Sequence, residues 1–502
     1  MPIQALSMHA DDNVALAAVD LSAGMTVAVA GRQIVLRQSI PFGHKFAVRP
    51  IARGAIVLKY GQPIGRASAD IAIGEHVHIH NIESLRGRGD LGEAGARVEA
   101  VSLDSTALKS IAVGDPPATS FLGYRRRDGR VGVRNHVLVL PTVHCANTVV
   151  ERIGRMVPGV IALPHVYGCS QLGDDLAQSR RVLEEFARHP NVGAVLLVGL
   201  GCETMPTIEM GEELAAEGLL VQRLTIQEEG GSRATYERGL GIVRELMQEA
   251  ARAQREPASL SELIVATECG GSDAWSGVTA NPAVGAASDL VVAAGGTVLL
   301  SEVPEFIGAE HLLAARAVTP AVGQQIIDAV ARREREAMRM GVDMRGGNPA
   351  PGNIAGGLTT IEEKSLGTIS KGGSTPVQEF VAYGRRPTRR GLVLMDTAGN
   401  DLESVTGMVA GGAQIVVFTT GRGSPTGCPI APVIKVATNT PMYTRLKDDM
   451  DINAGAALEG ESLAEIGRRI FLEIIDVANG KQTAAEAWGH HEFAIEVIGP
   501  RL

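Results

Sequence analysis

Residues 137–145 read VLVLPTVHC, and residues 194–202 read AVLLVGLGC. Each is a short, continuously apolar run rich in aliphatic and β-branched residues. Each is too short for a core helix and is closed by a polar turn. Between and after them lie DDLAQSRRVLEEFARH (174–189) and SRATYERGLGIVRELMQEAARA (232–253), whose apolar residues recur at helical spacing. Strands that stay apolar along their whole length, alternating with amphipathic helices, predict a parallel sheet covered on both faces. The pattern extends outward through VIAL (160–163), LIVAT (263–267), TVLL (297–300), GLVLMDT (391–397), IVVFTTG (415–421) and VIKVAT (433–438). The expected architecture is α/β, with two Rossmann-like parallel-sheet domains.

Upstream the style changes. VAVAGRQIVL (27–36) predicts a hairpin with Gly31-Arg32 in the turn, and PFGHKFAV, AIVLKYGQPIG and GEHVHIHN predict short strands punctuated by glycine. These make a small β domain over 1–85. Residues 86–118, rich in Gly, Ala, Ser and Pro, predict a linker. An α/β domain over 119–256 and a C-terminal α/β domain over 257–502 follow. That agrees with a length of 502 residues, which suggests roughly three domains. The irregular segment 346–376 carries charges between its glycines, which favours a functional loop over a passive one.

Composition narrows the function. A formal net charge of −9 argues against a nucleic-acid binder. Aromatics make up only 3% while Gly numbers 60, which favours close backbone approach over stacking surfaces. No apolar run is long enough for a membrane span, and the first residues lack the pattern of a secretory signal. Five cysteines do not form a disulfide framework, so the expected location is a reducing cytoplasm.

Four of those cysteines share one position. Cys145, Cys169, Cys202 and Cys269 each sit at or just beyond the carboxyl end of a predicted parallel strand, where α/β sheets bind ligands. Their neighbours His165, Glu203, Ser272 and Asp273 are polar. A buried cysteine is also an ordinary small core residue; the sharper reading is a metal site built from strand ends. In the stretch 75–81, strand alternation would put His76, His78 and His80 on one face, with Val77 and Ile79 packed inward. Such a face suits a divalent ion, a closing wall over a neighbouring site, or plain solvent exposure. Lys364 and Lys371 in the Gly-rich segment are candidates for neutralising a carboxylate or moving a proton, with a solvated charged helix start as the alternative. In TTGRGSPTGC (419–428), the backbone amides and Arg422 suggest an anion-binding nest.

Together GYRRRDGRVGVRNHVLVLPTVHCAN, HVYGCSQLGDD, GLGCE, ECGGSDAWSGVTANPAVG, SEVPEFIGAEHLL, NPAPGNIAGGLTTIEEKSLG and FTTGRGSP resemble the altronate/galactarate dehydratase family of sugar-acid dehydratases. RQSIPFGHKFA, KYGQPIG and HVHIHN resemble its N-terminal β-clip (SAF-type) domain. The resemblance implies a cytoplasmic hydro-lyase that uses a divalent metal, Fe(II) first and Mn(II) next. Such an enzyme converts a small-molecule sugar acid, altronate or galactarate, to a 2-keto-3-deoxy acid. Metal ligands are expected among His76, His78, Cys145 and Cys169, with Glu203, Cys202, Cys269 or Asp273 as alternatives. Acid/base groups are expected among His80, His165 and Lys364, and substrate contacts among Arg422, Ser272, Asp273 and Lys371. Two other readings are a sulfolactate sulfo-lyase and a non-catalytic sugar-acid-binding protein. A homodimer is the expected assembly, with no nucleic-acid or membrane partner.

Overall fold

The computed structural model describes residues 3–91 and 111–499. Nine short strands occupy the N-terminal part: β1 (Ala5–Leu6), β2 (Val14–Ala17), β3 (Thr26–Val29), β4 (Arg32–Val35), β5 (Lys45–Ala47), β6 (Ile56–Lys59), β7 (Gln62–Ala67), β8 (His76–Val77) and β9 (Ile82–Glu83). They form an antiparallel sheet ordered β1-β2-β5-β8, the hairpin β3-β4, and a second antiparallel sheet β6-β7-β9. The expected hairpin is present, but its turn is Ala30-Gly31, with φ of 49° and 73°. Arg32 already pairs with Val29. Both central residues lie in the left-handed region, as a tight hairpin turn demands.

The chain enters and leaves the second domain along one small antiparallel sheet, in which β10 (Ser120–Arg125) pairs with both β11 (Val131–Gly132) and β16 (Glu256–Ser259). Within the domain, β12 (His136–Pro141), β13 (Val160–Ala162), β14 (Val192–Gly199) and β15 (Val221–Thr225) form a parallel sheet ordered β13-β12-β14-β15. Helices Asn147–Met156, Gly173–Ala187, Thr207–Ala216 and Ser232–Ala250 join these strands.

The C-terminal domain holds a seven-stranded, all-parallel sheet. Its strands are β17 (Ile264–Cys269), β18 (Thr297–Leu300), β19 (Val377–Val381), β20 (Gly391–Met395), β21 (Ile415–Thr420), β22 (Val433–Ala437) and β23 (Ile452–Asn453), in the order β19-β20-β18-β17-β21-β22-β23. Alternate residues face opposite cores. Val265, Val298, Val417 and Ile434 pack with Ala283, Ile466 and Ile470 of helices Ala280–Ala293 and Leu463–Ala478. Ala266, Leu299, Val416 and Phe418 pack with Val405 and Met408 of helix Asp401–Ala410 and with Leu138, Val182 and Phe186 of the second domain. Burial on both faces is why these strands read as unbroken apolar runs.

The chain builds outward from β17 through β18 to the edge strand β19, places β20 between β18 and β19, then lays β21 on the other side of β17. The carboxyl ends of β17 and β21 therefore flank a switch point, the position where such sheets bind ligands. Two sequence expectations change. Segment 346–376 is partly helical, with helices Pro351–Ala355 and Ile361–Thr368. The expected linker begins with anchored residues: Arg86 pairs with Glu310 and Glu334, and Arg88 pairs with Asp90. Residues 92–110 of that linker lie outside the described part. No described helix is long and apolar enough to cross a membrane.

Candidate metal centre and the domain that covers it

The carboxyl edge of the C-terminal sheet gathers acids. Strand β17 ends in Glu268-Cys269, β18 runs into Glu302 and Glu305, and Asp401 opens the helix that follows β20. Cys269 Sγ lies 3.3 Å from both Glu305 Oε2 and Thr368 Oγ1, and the Cys269 amide donates to Glu302 Oε2 at 3.2 Å. Two groups have ligand atoms within 4.8 Å of one another: Cys269, Glu302 and Glu305, and Glu268, Glu302 and Asp401. Glu302, common to both, has a left-handed backbone with φ of 71°. That conformation is costly for a residue with a Cβ and persists only where the surroundings enforce it.

Two ammonium groups balance part of this charge. Lys371 Nζ donates to Glu302 at 2.6 Å, and Lys364 pairs with Glu305 while donating to Asn348 Oδ1 at 2.9 Å. Both pairs are almost fully buried. Burial, then the neighbouring Glu302, pushes the Glu268 carboxyl well above the ordinary range. Burial and Glu305 likewise raise Glu302. Burial alone would raise Glu305 too, but Lys364 and Lys371 outweigh it and hold Glu305 low. Burial, Glu302 and Glu305 keep the Cys269 thiol protonated.

Four carboxyl groups thus face Lys364, Lys371 and Lys435, and the Glu268 and Glu302 carboxyls meet each other, with Oε1 of each buried and without an N–H or hydroxyl donor. Opposed acid oxygens of this kind need a shared proton or a cation between them. Two carboxylates with a thiol, or three carboxylates, form a donor set suited to a divalent ion, and a bound ion would deprotonate the thiol. The residues fit a metal.

Beside the cluster, Tyr60, Ser272, Asp273, Lys364 and Thr368 line a small cavity. Ser272 Oγ is buried with no hydrogen-bond partner. Asp273 is saturated: its carboxylate accepts from the Trp275 and Ser276 amides, Ser276 Oγ, Thr438 Oγ1 and Asn439 Nδ2. It shapes the site more than it offers free oxygens. The expected nest at 419–428 is not open to an anion. The Gly421 and Arg422 amides donate to Gly271 O, and the Gly423 and Ser424 amides to Thr420 Oγ1. The Arg422 side chain is exposed. Lys371 is wholly buried behind Glu302, away from solvent.

The N-terminal domain seals this edge. Lys45 and Lys59 reach across to Glu363, each at 2.8 Å, and all three are buried. Ser84 Oγ and the Leu85 and Arg86 amides donate to Glu362, and Thr360 Oγ1 donates to Ile64 O. The alternative of a solvated helix start at 359–365 gives way to an interface core. Strand β8 ends at Val77, so the expected single strand over 75–81 breaks; Val77 is buried, but Ile79 is 45% exposed. The histidines still assemble, joined by His44. His44 Nδ1 lies 3.0 Å from His76 Nε2, the His76 ring lies 5.4 Å from those of His78 and His80, and His44 stacks on His78 at 4.7 Å.

The bridge to the cavity is the helix Pro351–Ala355. His78 Nε2 donates to Ile354 O at 3.0 Å, while the adjacent Asn353 Nδ2 donates to Ser272 O at 2.8 Å. Burial, reinforced by neighbouring cations, lowers His76 to about 3 and His78 to about 4. Both rings are neutral at pH 7.

The remaining candidates sit in the second domain. His165 has both ring nitrogens engaged, Nε2 with Pro141 O at 2.7 Å and Nδ1 with the Tyr167 amide at 3.1 Å. Glu203 accepts from the Gly201 amide, Thr142 and Thr207. Cys145 and Cys202 are exposed and Cys169 half-buried, whereas Cys269 is buried in the other sheet. The four thiols expected to converge are thus divided between two domains. Sequence reasoning passed over Glu302, Glu305, Asp401, His44, Lys45 and Lys59. Glu302 and Glu305 had a usable signal, since they follow the predicted strand TVLL as the cysteines follow theirs.

Comparison with known proteins agrees along the whole chain. Residues 3–85 match the altronate/galactarate dehydratase SAF domain, residues 123–251 the D-galactarate dehydratase/altronate hydrolase second domain, and residues 260–500 the D-galactarate/altronate dehydratase C-terminal domain. Altronate dehydratase of Escherichia coli is 38% identical over 100% of both chains. Galactarate dehydratase (L-threo-forming) of the same organism is 36% identical over 98% of this chain and 96% of its own. The beta subunit of (2R)-sulfolactate sulfo-lyase from Chromohalobacter salexigens is 39% identical over 75% of this chain and 97% of its own. With three successive domain matches and full-length similarity, the chain belongs to the altronate/galactarate dehydratase family.

Proposed function

We propose that this protein dehydrates a sugar acid, altronate first and galactarate next, to a 2-keto-3-deoxy acid. The observation that carries the reading is the buried set Glu268, Cys269, Glu302, Glu305 and Asp401, with two donor-less carboxylate oxygens, beside a cavity lined by Lys364 and Ser272. The reaction breaks the C2–H and C3–O bonds, forms C2=C3 and releases water. The enol then takes a proton at C3 and becomes the 2-keto acid. A divalent ion held by Glu302 with Cys269 and Glu305, or with Glu268 and Asp401, would supply Lewis-acid stabilisation of the enediolate. Fe(II) or Mn(II) suits such mixed ligands.

Lys364 is the proton donor to the departing hydroxyl in this reading. Its pairing with Glu305 overcomes the opposing effect of burial and keeps it protonated. The neutral imidazoles of His76 and His78 are the candidates to accept the C2 proton, and His78 meets Ile354 O beside Asn353, which meets Ser272 O on the cavity wall. Ser272 Oγ is placed to meet a substrate hydroxyl, and exposed Arg422 a carboxylate. Five free thiols fit a cytoplasmic setting.

The test is turnover of a panel of aldonates and aldarates, read as 2-keto acid. Chelation should abolish it, and Fe(II) or Mn(II) should restore it. Full activity in protein shown to be metal-free would overturn the metal reading. Sulfite release from 3-sulfolactate without sugar-acid turnover would replace the substrate assignment.

A further inference from the structure

Cys145, Cys169 and Cys202 take no part in the carboxylate cluster; Cys169 packs at the margin of the second domain's core, and Cys145 and Cys202 lie outside it. Cys428 and Cys269 are buried, but Cys145 and Cys202 are exposed and Cys169 is half-buried. Each follows a different strand of the second sheet, Cys145 after β12, Cys169 after β13 and Cys202 after β14. Because β12 lies between β13 and β14, the three connections leave one carboxyl edge side by side. The chain reverses its direction of build between β12 and β14, so the thiols straddle this sheet's own switch point.

Backbone ties hold the three loops together. The His144 amide, next to Cys145, donates to Tyr167 O at 3.0 Å. The amide and hydroxyl of Thr204, just beyond Cys202, donate to Gly168 O at 3.2 and 3.1 Å, and Gly168 immediately precedes Cys169. Gly168 has φ of 93°, and a Cβ there would stand 2.1 Å from Thr142 O, so the cysteine loop lies flat on the β12 connection. Ser170 also has a left-handed backbone, φ 57°. Val166 and Leu172, on the same loop as Cys169, are 57% and 61% exposed.

The three sulfurs do not suit one small ion. A tetrahedral zinc or iron thiolate site, with metal–sulfur bonds of about 2.3 Å, needs sulfurs about 3.8 Å apart. Among the described residues, the groups with ligand atoms gathered within 4.8 Å do not include these cysteines. An iron–sulfur cluster accepts wider spacing, because each thiolate binds its own iron. Three thiolates from three adjacent strand ends supply the number of protein ligands that a cubane with one open iron takes.

We propose that Cys145, Cys169 and Cys202 bind a [4Fe–4S] cluster through three of its irons and leave the fourth without a protein ligand, open to an oxygen donor. On binding a preassembled cluster, each thiol loses its proton to solvent and forms one Fe–S bond, with no change in oxidation state. The site is separate from the Glu302 centre and goes beyond the proposed dehydration, so either reading can fail without the other.

The full-length protein is incubated anaerobically with equal Fe(II) and Fe(III), plus sulfide matching total iron, then desalted. Iron and acid-labile sulfide are assayed beside visible absorption and Mössbauer spectra. The expected result is four sulfides per chain, a broad visible charge-transfer band, and protection of these three cysteines from alkylation by mass spectrometry. Cys145→Ser, Cys169→Ser and Cys202→Ser should each lose most of the sulfide while eluting as folded protein, and Cys428→Ser should keep it. Iron without labile sulfide, one Zn(II) per chain as the only tightly held metal, or unprotected thiols after reconstitution would each overturn the proposal.

Discussion

At the scale of single residues, Glu363 forms the most buried ionic contact between the N-terminal and C-terminal domains. Its two carboxylate oxygens are divided between Lys45 and Lys59 inside a dry interface, and Thr359 adds its amide and hydroxyl. Burial draws Lys45 down to about 8 despite Glu363, whereas Glu363 and Tyr60 outweigh burial at Lys59 and raise it. Glu363→Gln would leave two buried ammonium groups facing a neutral amide. Breaking a buried pair from one side costs about 3–5 kcal/mol, so the denaturation midpoint of Glu363→Gln should fall accordingly; an unchanged midpoint would show that solvent reaches the lysines.

The imidazole cluster makes a second residue-level prediction. His76 and His78 are held near 3 and 4 in the fold but titrate at an ordinary 6.5 when unfolded. Between those values the unfolded chain binds more protons, so stability is intact above pH 6.5 and declines as pH falls toward 4. Thermal melting of His76→Gln/His78→Gln across that window should give a flatter profile than the wild type.

At the scale of elements, the strand-end turns decide whether the acids can meet. A Cβ on Gly270 would stand 2.0 Å from Asp401 Oδ2 and 2.5 Å from Phe418 Cζ. Gly270→Ala must therefore displace the Asp401 carboxylate and the Phe418 ring. Overpacking of this kind costs about 1–3 kcal/mol, and the expected signature is a loss of divalent-ion affinity, measured by calorimetric titration, larger than the loss of melting temperature. Equal metal affinity would remove Asp401 from the site.

The elements themselves were largely legible. Runs such as TVLL and IVVFTT are unbroken because both faces are buried, and they fall where the sheet has β18 and β21. β19 escaped notice because VQEFV is interrupted by polar residues at the sheet's edge. The buried charges were harder to read. In TTIEEKS, a glutamate bound for a dry interface looks the same as one bound for water. Its partners Lys45 and Lys59 lie at the far end of the chain, and no local periodicity links them.

At the scale of the whole molecule, the N-terminal domain docks through an apolar seam, in which Leu16 and Phe42 meet Ala274, Trp275 and Val278, and through charge and hydrogen bonds. Lys45 and Lys59 meet Glu363, Ser84 meets Glu362, Arg86 meets Glu310 and Glu334, and His78 meets Ile354 O. These contacts surround the cavity beside Lys364, which Tyr60 of the N-terminal domain helps to line. Removing that domain would open the site to water and weaken every electrostatic interaction in it.

The contacts just named lie within residues 3–91 and 111–499. Residues 1–91 and 111–502, co-expressed as two chains, should therefore assemble, co-purify and recover most of the turnover that the 111–502 chain alone lacks. The effective concentration supplied by covalent linkage is lost on splitting, so assembly becomes dependent on protein concentration. Glu363→Gln in the longer chain should abolish co-purification, since its buried lysine partners would then have no counter-charge. Full turnover by 111–502 alone would place the acid/base chemistry outside the histidine segment.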